Sequence, residues 1–263
     1  MASNLLQCFF EEHPRYPLSD ESRRKNDKIP VTPSSKHTEL QDPPRLFIRY
    51  SVSNYVSRAT TWLNSQRALP DARFQISTIV TPEPAPAELA NEADVVRVSN
   101  DFLVNPVLRA INIKYNTNIT VATEVMEDVF RLDLTFNINQ DTGNKQTIVV
   151  IEFKRLGVIK PAQFHKHEYA QEDKAKETRR LRRLHLNTGL DWGTNAYWMT
   201  LHATAYSRAT GCEYVALCNY DTLILLRFND GLASVRLTEV SRGQMRLGLL
   251  GFLIAACDFA GIS

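Results

Sequence analysis

Residues 129–155, VFRLDLTFNINQDTGNKQTIVVIEFKR, restrict the fold of this chain more than any other stretch. Two runs rich in β-branched and aromatic residues flank QDTGNK, a turn sequence of Asp, Gly and Asn, so the segment reads as a β-hairpin. A hairpin turning symmetrically about Thr142-Gly143 opposes residues whose numbers sum to 285, which sets Asp133 against Glu152 and Arg131 against Lys154. Side chains alternate between faces along a strand. One face then holds Phe130, Leu132, Leu134 and Phe136 against Val149, Ile151 and Phe153. The other holds Arg131, Asp133 and Thr135 against Val150, Glu152 and Lys154.

The second face asks for an explanation. Directly opposed side chains in an antiparallel pair lie about 4.5–5.5 Å apart at Cβ. Two carboxylates at that distance repel, more so when partly buried. A hard divalent cation removes the repulsion, because Mg²⁺ takes a few carboxylate oxygens together with water. Such an ion activates water and stabilises a phosphoryl transition state. Lys154, on the same face as Glu152, is placed to neutralise developing charge. The competing reading of the same charges is a salt-bridge lattice on a half-solvated sheet.

The rest of the chain supplies the frame. Residues 1–44 are polar and proline-punctuated, and read as an extended or disordered arm. Apolar spacing predicts a helix over about 45–69, and the prolines of STIVTPEPAPAEL (77–89) then break the chain. A second helix is expected from Glu88 or Ala93 to Tyr115, kinked or broken at Pro106. Strands are expected at 119–126, 129–137 and 146–154, then a long charged helix at 167–186 and another at 194–208. Strands at 213–218 and 222–228 and an apolar helix at 244–259 complete the order. This predicts an α/β fold around one mixed sheet, with 45–263 as a single domain.

Composition narrows the function classes. The 263 residues are 43% hydrophobic with a net charge of +2, so a nucleic-acid site must come from local charge. The four cysteines (Cys8, Cys212, Cys218, Cys257) form no C-x-x-C pair, which predicts core thiols rather than a disulfide framework. No secretory leader pattern opens the chain, and the apolar stretch from Leu247 to Cys257 is too short to span a bilayer. An intracellular protein of the cytoplasm or nucleus, with no membrane partner, is expected. No G-x-x-x-x-G-K-[ST], G-x-G-x-x-G or G-x-S-x-G occurs. His165-Lys-His167 lacks the further ligands of a zinc site. Residues 151–190 hold ten Lys or Arg against five Asp or Glu, and Arg179, Arg180, Arg182 and Arg183 are the candidate phosphate-binding residues there. The aromatics Trp192, Tyr197, Trp198 and Tyr206 are read as burying against the sheet rather than stacking on bases.

The motif R-L-D133 followed by V-V-I-E152-F-K154-R resembles the PD-(D/E)XK nuclease superfamily, in the divergent form common in fungal proteins. The stretch ATAYSRATGCEYVALCNYDTLILLRF (203–228) is similar to the later helix and strand pair of those proteins, so the likeness covers roughly 119–228. The resemblance implies a restriction-endonuclease-like mixed sheet with an αβββαβ core. It implies a Mg²⁺- or Mn²⁺-dependent nuclease acting on DNA, or on RNA. Asp133 and Glu152 would be metal ligands, and Lys154 the catalytic lysine. Glu124 would be an additional acid, with Glu88 or Glu92 on an early helix as alternatives. His202 stands where related proteins carry glutamine, and would contact nucleic acid. The alternative function is a nuclease-like fold kept as a nucleic-acid or protein interaction module.

Overall fold

The computed structural model describes residues 4–16, 38, 40–68, 72–74, 88–116, 119–127, 129–139, 145–184, 188–229, 231 and 233–262. Residues 140–144, where the hairpin turn is expected, the proline-rich stretch 75–87 and residues 17–37 lie outside them. A single turn of helix, α1 (Leu5–Cys8), precedes strand β1 (Leu46–Arg49) and helix α2 (Val52–Ala68). Helix α3 (Glu92–Ser99) runs through a π-helical turn at Asn100–Val104 into α4 (Asn105–Tyr115). Then come β2 (Ile119–Glu127), β3 (Phe130–Asn139), β4 (Lys145–Phe153), α5 (Pro161–His165), β5 (Glu168–Tyr169) and α6 (Lys174–Arg183). Helix α7 (Asn195–Thr210), β6 (Tyr214–Cys218), β7 (Leu223–Asn229), β8 (Ser234–Val240) and α8 (Met245–Phe259) finish the order.

All eight strands join one mixed sheet in the order β2-β3-β4-β6-β7-β8-β1-β5. The first three strands and the β6-β7-β8 run are antiparallel, while β4–β6, β8–β1 and β1–β5 are parallel. Helices cover both faces. Residues of α2, α3, α4 and α8 pack with Leu134, Phe136, Ile151, Ala216 and Leu225 on one side. Residues of α5 and α7 pack with Val150, Val215, Leu217, Ile224 and Leu226 on the other. Strands buried on both faces read as continuous apolar runs, as TIVVIEF and YVALC do.

Three strands differ from expectation. Leu46–Arg49 is a strand rather than the start of the helix that follows, because Leu46, Phe47 and Ile48 are all buried between β8 and β5. Ser234–Val240, SVRLTEV, is a strand that the turn-rich sequence around it hid. The charged stretch 167–186 holds a short strand and a 3-10 turn before α6, since Glu168 and Tyr169 pair with Phe47 and Ile48 at the sheet edge. The expected kink at Pro106 takes the form of the π-helical turn. Pro106 has no N–H to give to the preceding turn, and Arg246 Nε of α8 donates to the Phe102 carbonyl instead, at 2.5 Å.

The expectation of an unstructured arm does not hold for residues 4–16. Leu5, Leu6, Cys8 and Phe9 lie in the main core. Arg246, itself buried, donates through Nη1 to the carbonyls of Cys8 (2.5 Å) and Glu11 (3.1 Å). Four apolar side chains in a polar stretch suffice for docking when a ready-made cleft receives them.

Candidate active site

The hairpin register is the first test of the site. Leu134 pairs with Ile151, Thr135 with Val150 and Phe136 with Val149, the register in which numbers sum to 285. Nearer the turn the pairing slips by one residue at an irregularity between Phe136 and Asn137. The ladder stops one position short of Asp133 and Glu152. There Asp133 Oδ2 accepts a hydrogen bond from the Phe153 N–H at 2.8 Å, so a side chain replaces the backbone acceptor. The pairing of β2 with β3 skips the same level, where Glu124 adopts φ 52°. The break reverses the facing of β3 beyond it. Phe130 and Leu132 pack on the α7 side with Val150, whereas Leu134 and Phe136 pack on the α8 side. The expected single apolar face of β3 is therefore split in two.

Glu152 is 2% exposed, near the carboxyl end of β4. Lys154 Nζ donates to its Oε1 at 2.5 Å, and His202 Nδ1 lies 3.3 Å from the same oxygen. Oε2 is buried and makes no well-formed hydrogen bond with a described residue. Helix α7 brings two further groups. His202 and Tyr206 are four residues apart and so share one flank of the helix. Tyr206 is buried, and its phenol is pushed up by burial and then by the Glu152 and Asp133 charges. On the opposite side, α3 is capped by Asn91, whose side chain and that of Asp94 form a capping box. That cap fixes Glu92 in the first turn, with Oε2 4.0 Å from Lys154 Nζ.

The electrostatics follow from this crowding. Burial raises the Asp133 carboxyl, and the Glu152 charge adds to it, to about 8 against partial relief from Lys154 and the Phe153 N–H. Burial also works to raise Glu152, but the Lys154 ammonium and then His202 outweigh it and hold that carboxyl at about 2. Burial works to lower Lys154, yet Glu152, Glu92 and Asp133 together hold its proton on and leave its pKa above the ordinary lysine value. Asp133 thus keeps its proton to higher pH than an ordinary carboxyl, while Glu152 stays ionised beside the Lys154 ammonium.

The other predicted residues lie elsewhere. Glu124 is exposed and accepts from Arg131 Nη2 at 2.5 Å, so the additional acid beside Lys154 is Glu92 and not Glu124. Arg131 accordingly answers Glu124 rather than facing Lys154. The basic helix is not next to the carboxylates. Leu181 of α6 packs on Leu46 and Ile48 of β1, four strands from β4 and so on the order of 20 Å away at about 4.8 Å per strand. There Arg180 donates to Glu177 and to the Tyr169 hydroxyl. Arg179 and Arg182 line an open hollow of about 500 Å³ with Lys174 and Thr178. Arg183 is exposed on the same helix. His202 is buried against Glu152, not presented to a ligand at the surface. The signal for Tyr206 was its spacing from His202, which the apolar composition of α7 masked. Cys8, Cys212, Cys218 and Cys257 are buried free thiols.

Among the described residues, no three His, Cys, Asp or Glu side chains converge as a metal cage. No helix among them is long and apolar enough to cross a membrane. No family model matches the chain, and no curated protein or solved structure is significantly similar to it.

Proposed function

We propose that this protein is a Mg²⁺- or Mn²⁺-dependent nuclease of the PD-(D/E)XK kind, hydrolysing phosphodiester bonds in DNA, with RNA as the second substrate class. The observation that carries the reading is the Glu152 carboxylate. One oxygen is held by Lys154 and His202, and the other is buried beside the Tyr206 phenol without a well-formed hydrogen bond among the described residues. A bare buried acceptor costs about 1–3 kcal/mol, more when charged, unless a ligand takes it.

Asp133 and Glu152 fit an open metal site. Mg²⁺ is commonly bound by one or two carboxylates with water in the remaining positions, so the two side chains suffice without a closed cage. Bound there, the ion supplies Lewis-acid stabilisation of a phosphoryl group and an activated water. Lys154 keeps its proton and presents an ammonium beside the carboxylates, where charge builds on a phosphate undergoing attack. His202 positions Glu152 from α7, and Glu92 positions Lys154 from α3. With α5, β5 and α6 inserted between β4 and α7, the order α4, β2, β3, β4, α7, β6 gives helix, three antiparallel strands, crossover helix and parallel strand, which supports the αβββαβ assignment.

The test is cleavage of labelled DNA and RNA oligonucleotides by the purified chain with Mg²⁺ or Mn²⁺, stopped by chelator. Glu152→Gln and Lys154→Met should each lower the rate at least about 100-fold, the scale of losing one charge-stabilising group, while nucleic-acid binding persists. Cleavage that survives both substitutions removes the site from consideration. Metal-indifferent binding without cleavage on any substrate identifies an interaction module instead.

A further inference from the structure

Trp192 is 79% exposed, the reverse of the burial expected of it. Nothing about its backbone is loose. It sits second in the turn Asp191–Thr194, closed by Thr194 N–H to the Asp191 carbonyl at 3.3 Å. Gly193 takes φ +78° in the third place, the left-handed conformation a type II turn requires. Thr194 is also the N-cap of α7, accepting from the Tyr197 N–H, and the Asp191 carboxylate is anchored by Lys166 at 2.7 Å. A tryptophan is thus held out into solvent by a turn pinned at both ends. Its ring meets that of Trp198 edge-on at 6.2 Å between centroids, and Trp198 in turn meets Tyr197 at 5.1 Å.

This cluster leads along α7 toward the candidate site. Trp198 stands four residues before His202 and shares its flank of α7 with His202 and Tyr206, whose rings are 6.2 Å apart. One helical turn is about 6 Å, so from His202 to the Trp192 ring is roughly 12 Å, the rise of three or four stacked nucleotides at about 3.4 Å each. Because α7 follows β4 as a crossover and runs back toward the start of β6, its first turn lies beyond the carboxyl edge of the strands, where ligands of α/β sheets bind.

Resting on the nuclease reading, we infer that Trp192 and Trp198 form a stacking platform for an unpaired base close to the scissile phosphate, so that the substrate is single-stranded nucleic acid or a junction with a free base. An exposed indole offers stacking to any base, but only one whose own face is uncovered by a partner strand.

The experiment measures binding of the full chain, in chelator, to a fluorescein-labelled single-stranded oligonucleotide, its duplex and a version with abasic positions. Tryptophan fluorescence should be quenched by the single strand, which should bind more tightly than the duplex. Trp192→Ala should weaken single-strand binding about 5- to 150-fold, the loss of one stacked base, with Trp192→Phe recovering most of it. Duplex and abasic binding should change little. Equal affinity of Trp192→Ala and the parent for the single strand overturns the inference, as does an equal loss on the duplex, or an effect confined to self-association of the protein. If Glu152→Gln abolishes cleavage while Trp192→Ala leaves single-strand binding untouched, the platform alone fails and the nuclease reading stands. Absence of both binding and cleavage rejects the two together.

Discussion

At the scale of the residue, the buried polar groups outside the candidate site are as informative as those within it. Arg246 lies buried with no ion pair to a carboxylate among the described residues and gives its donors to the carbonyls of Phe102, Cys8 and Glu11. Burial lowers its pKa, and the three carbonyls are what make a charged side chain tolerable there. His13 is the titrating member of the same region. Its Nε2 lies 3.0 Å from the Tyr220 carbonyl, and its pKa is lowered to about 4 by burial, with Arg242 and Arg246 adding to the effect against Glu12. The unfolded chain takes up this proton first as pH falls from about 6.5, so stability is full above that value and is lost down to about pH 4. The His13 contribution alone should fall by about 2 kcal/mol from pH 7 to pH 5, against the raised Asp133 carboxyl, which favours the folded chain as pH falls. Urea titrations of the parent and of His13→Gln, which keeps a donor for Tyr220, should differ in pH slope by that amount, the parent losing more stability toward pH 5.

At the scale of the element, close approach decides what composition cannot. Helix α8 is apolar nearly throughout and could pack in several ways on that ground alone. Gly251 fixes its contact with α2, because a Cβ there would stand 2.0 Å from the Tyr55 carbonyl oxygen. In an exposed helix, replacing glycine by alanine stabilises by about 1 kcal/mol. Gly251→Ala should instead destabilise by about 3 kcal/mol or more, since backbone atoms of α2 must move away. Thermal unfolding of this variant checks the sign directly, and a raised midpoint would mean that the two helices do not meet there. The hairpin shows the same dependence on geometry. Alternation located Asp133 and Glu152 on adjoining strands, but the break at Glu124 and Asp133 sent Leu132 and Leu134 to opposite layers.

At the scale of the whole molecule, the chain's first residues complete the core made by its last helix. Burial of Leu5, Leu6 and Phe9 is worth on the order of 5 kcal/mol, an appreciable part of the ~5–15 kcal/mol that holds a domain folded. Removing residues 1–16 also strips Arg246 of two acceptors and uncovers the Tyr220 turn. The truncated chain should unfold about 10–20 °C below the parent in a calorimetric scan. An unchanged midpoint would assign residues 4–16 the dispensable role that their polarity suggests. The same folding-back separates charge from chemistry: the crossover from β4 to β6 carries α6 to the far end of the sheet, away from the carboxylates it follows in sequence.

The sequence by itself determined the strands β2, β3, β4, β6 and β7, the hairpin register as far as Leu134 and Ile151, and the helices α4, α7 and α8. Each rests on local periodicity or turn chemistry, which a linear string records. Tertiary structure decided the rest. Strands β1, β5 and β8 exist because an edge was there to pair with: β1 and β5, at four and two residues, carry too little pattern to declare themselves, and the seven residues of β8 lie in a turn-rich stretch. Glu92 rather than Glu124 reaches Lys154 because a helix cap aims one and a left-handed backbone turns the other outward. His202 and Tyr206 join Glu152, and Trp192 stands clear of the surface, through contacts between segments far apart in sequence. The free energy of such contacts depends on distance in space, and that distance is set only when the layers close.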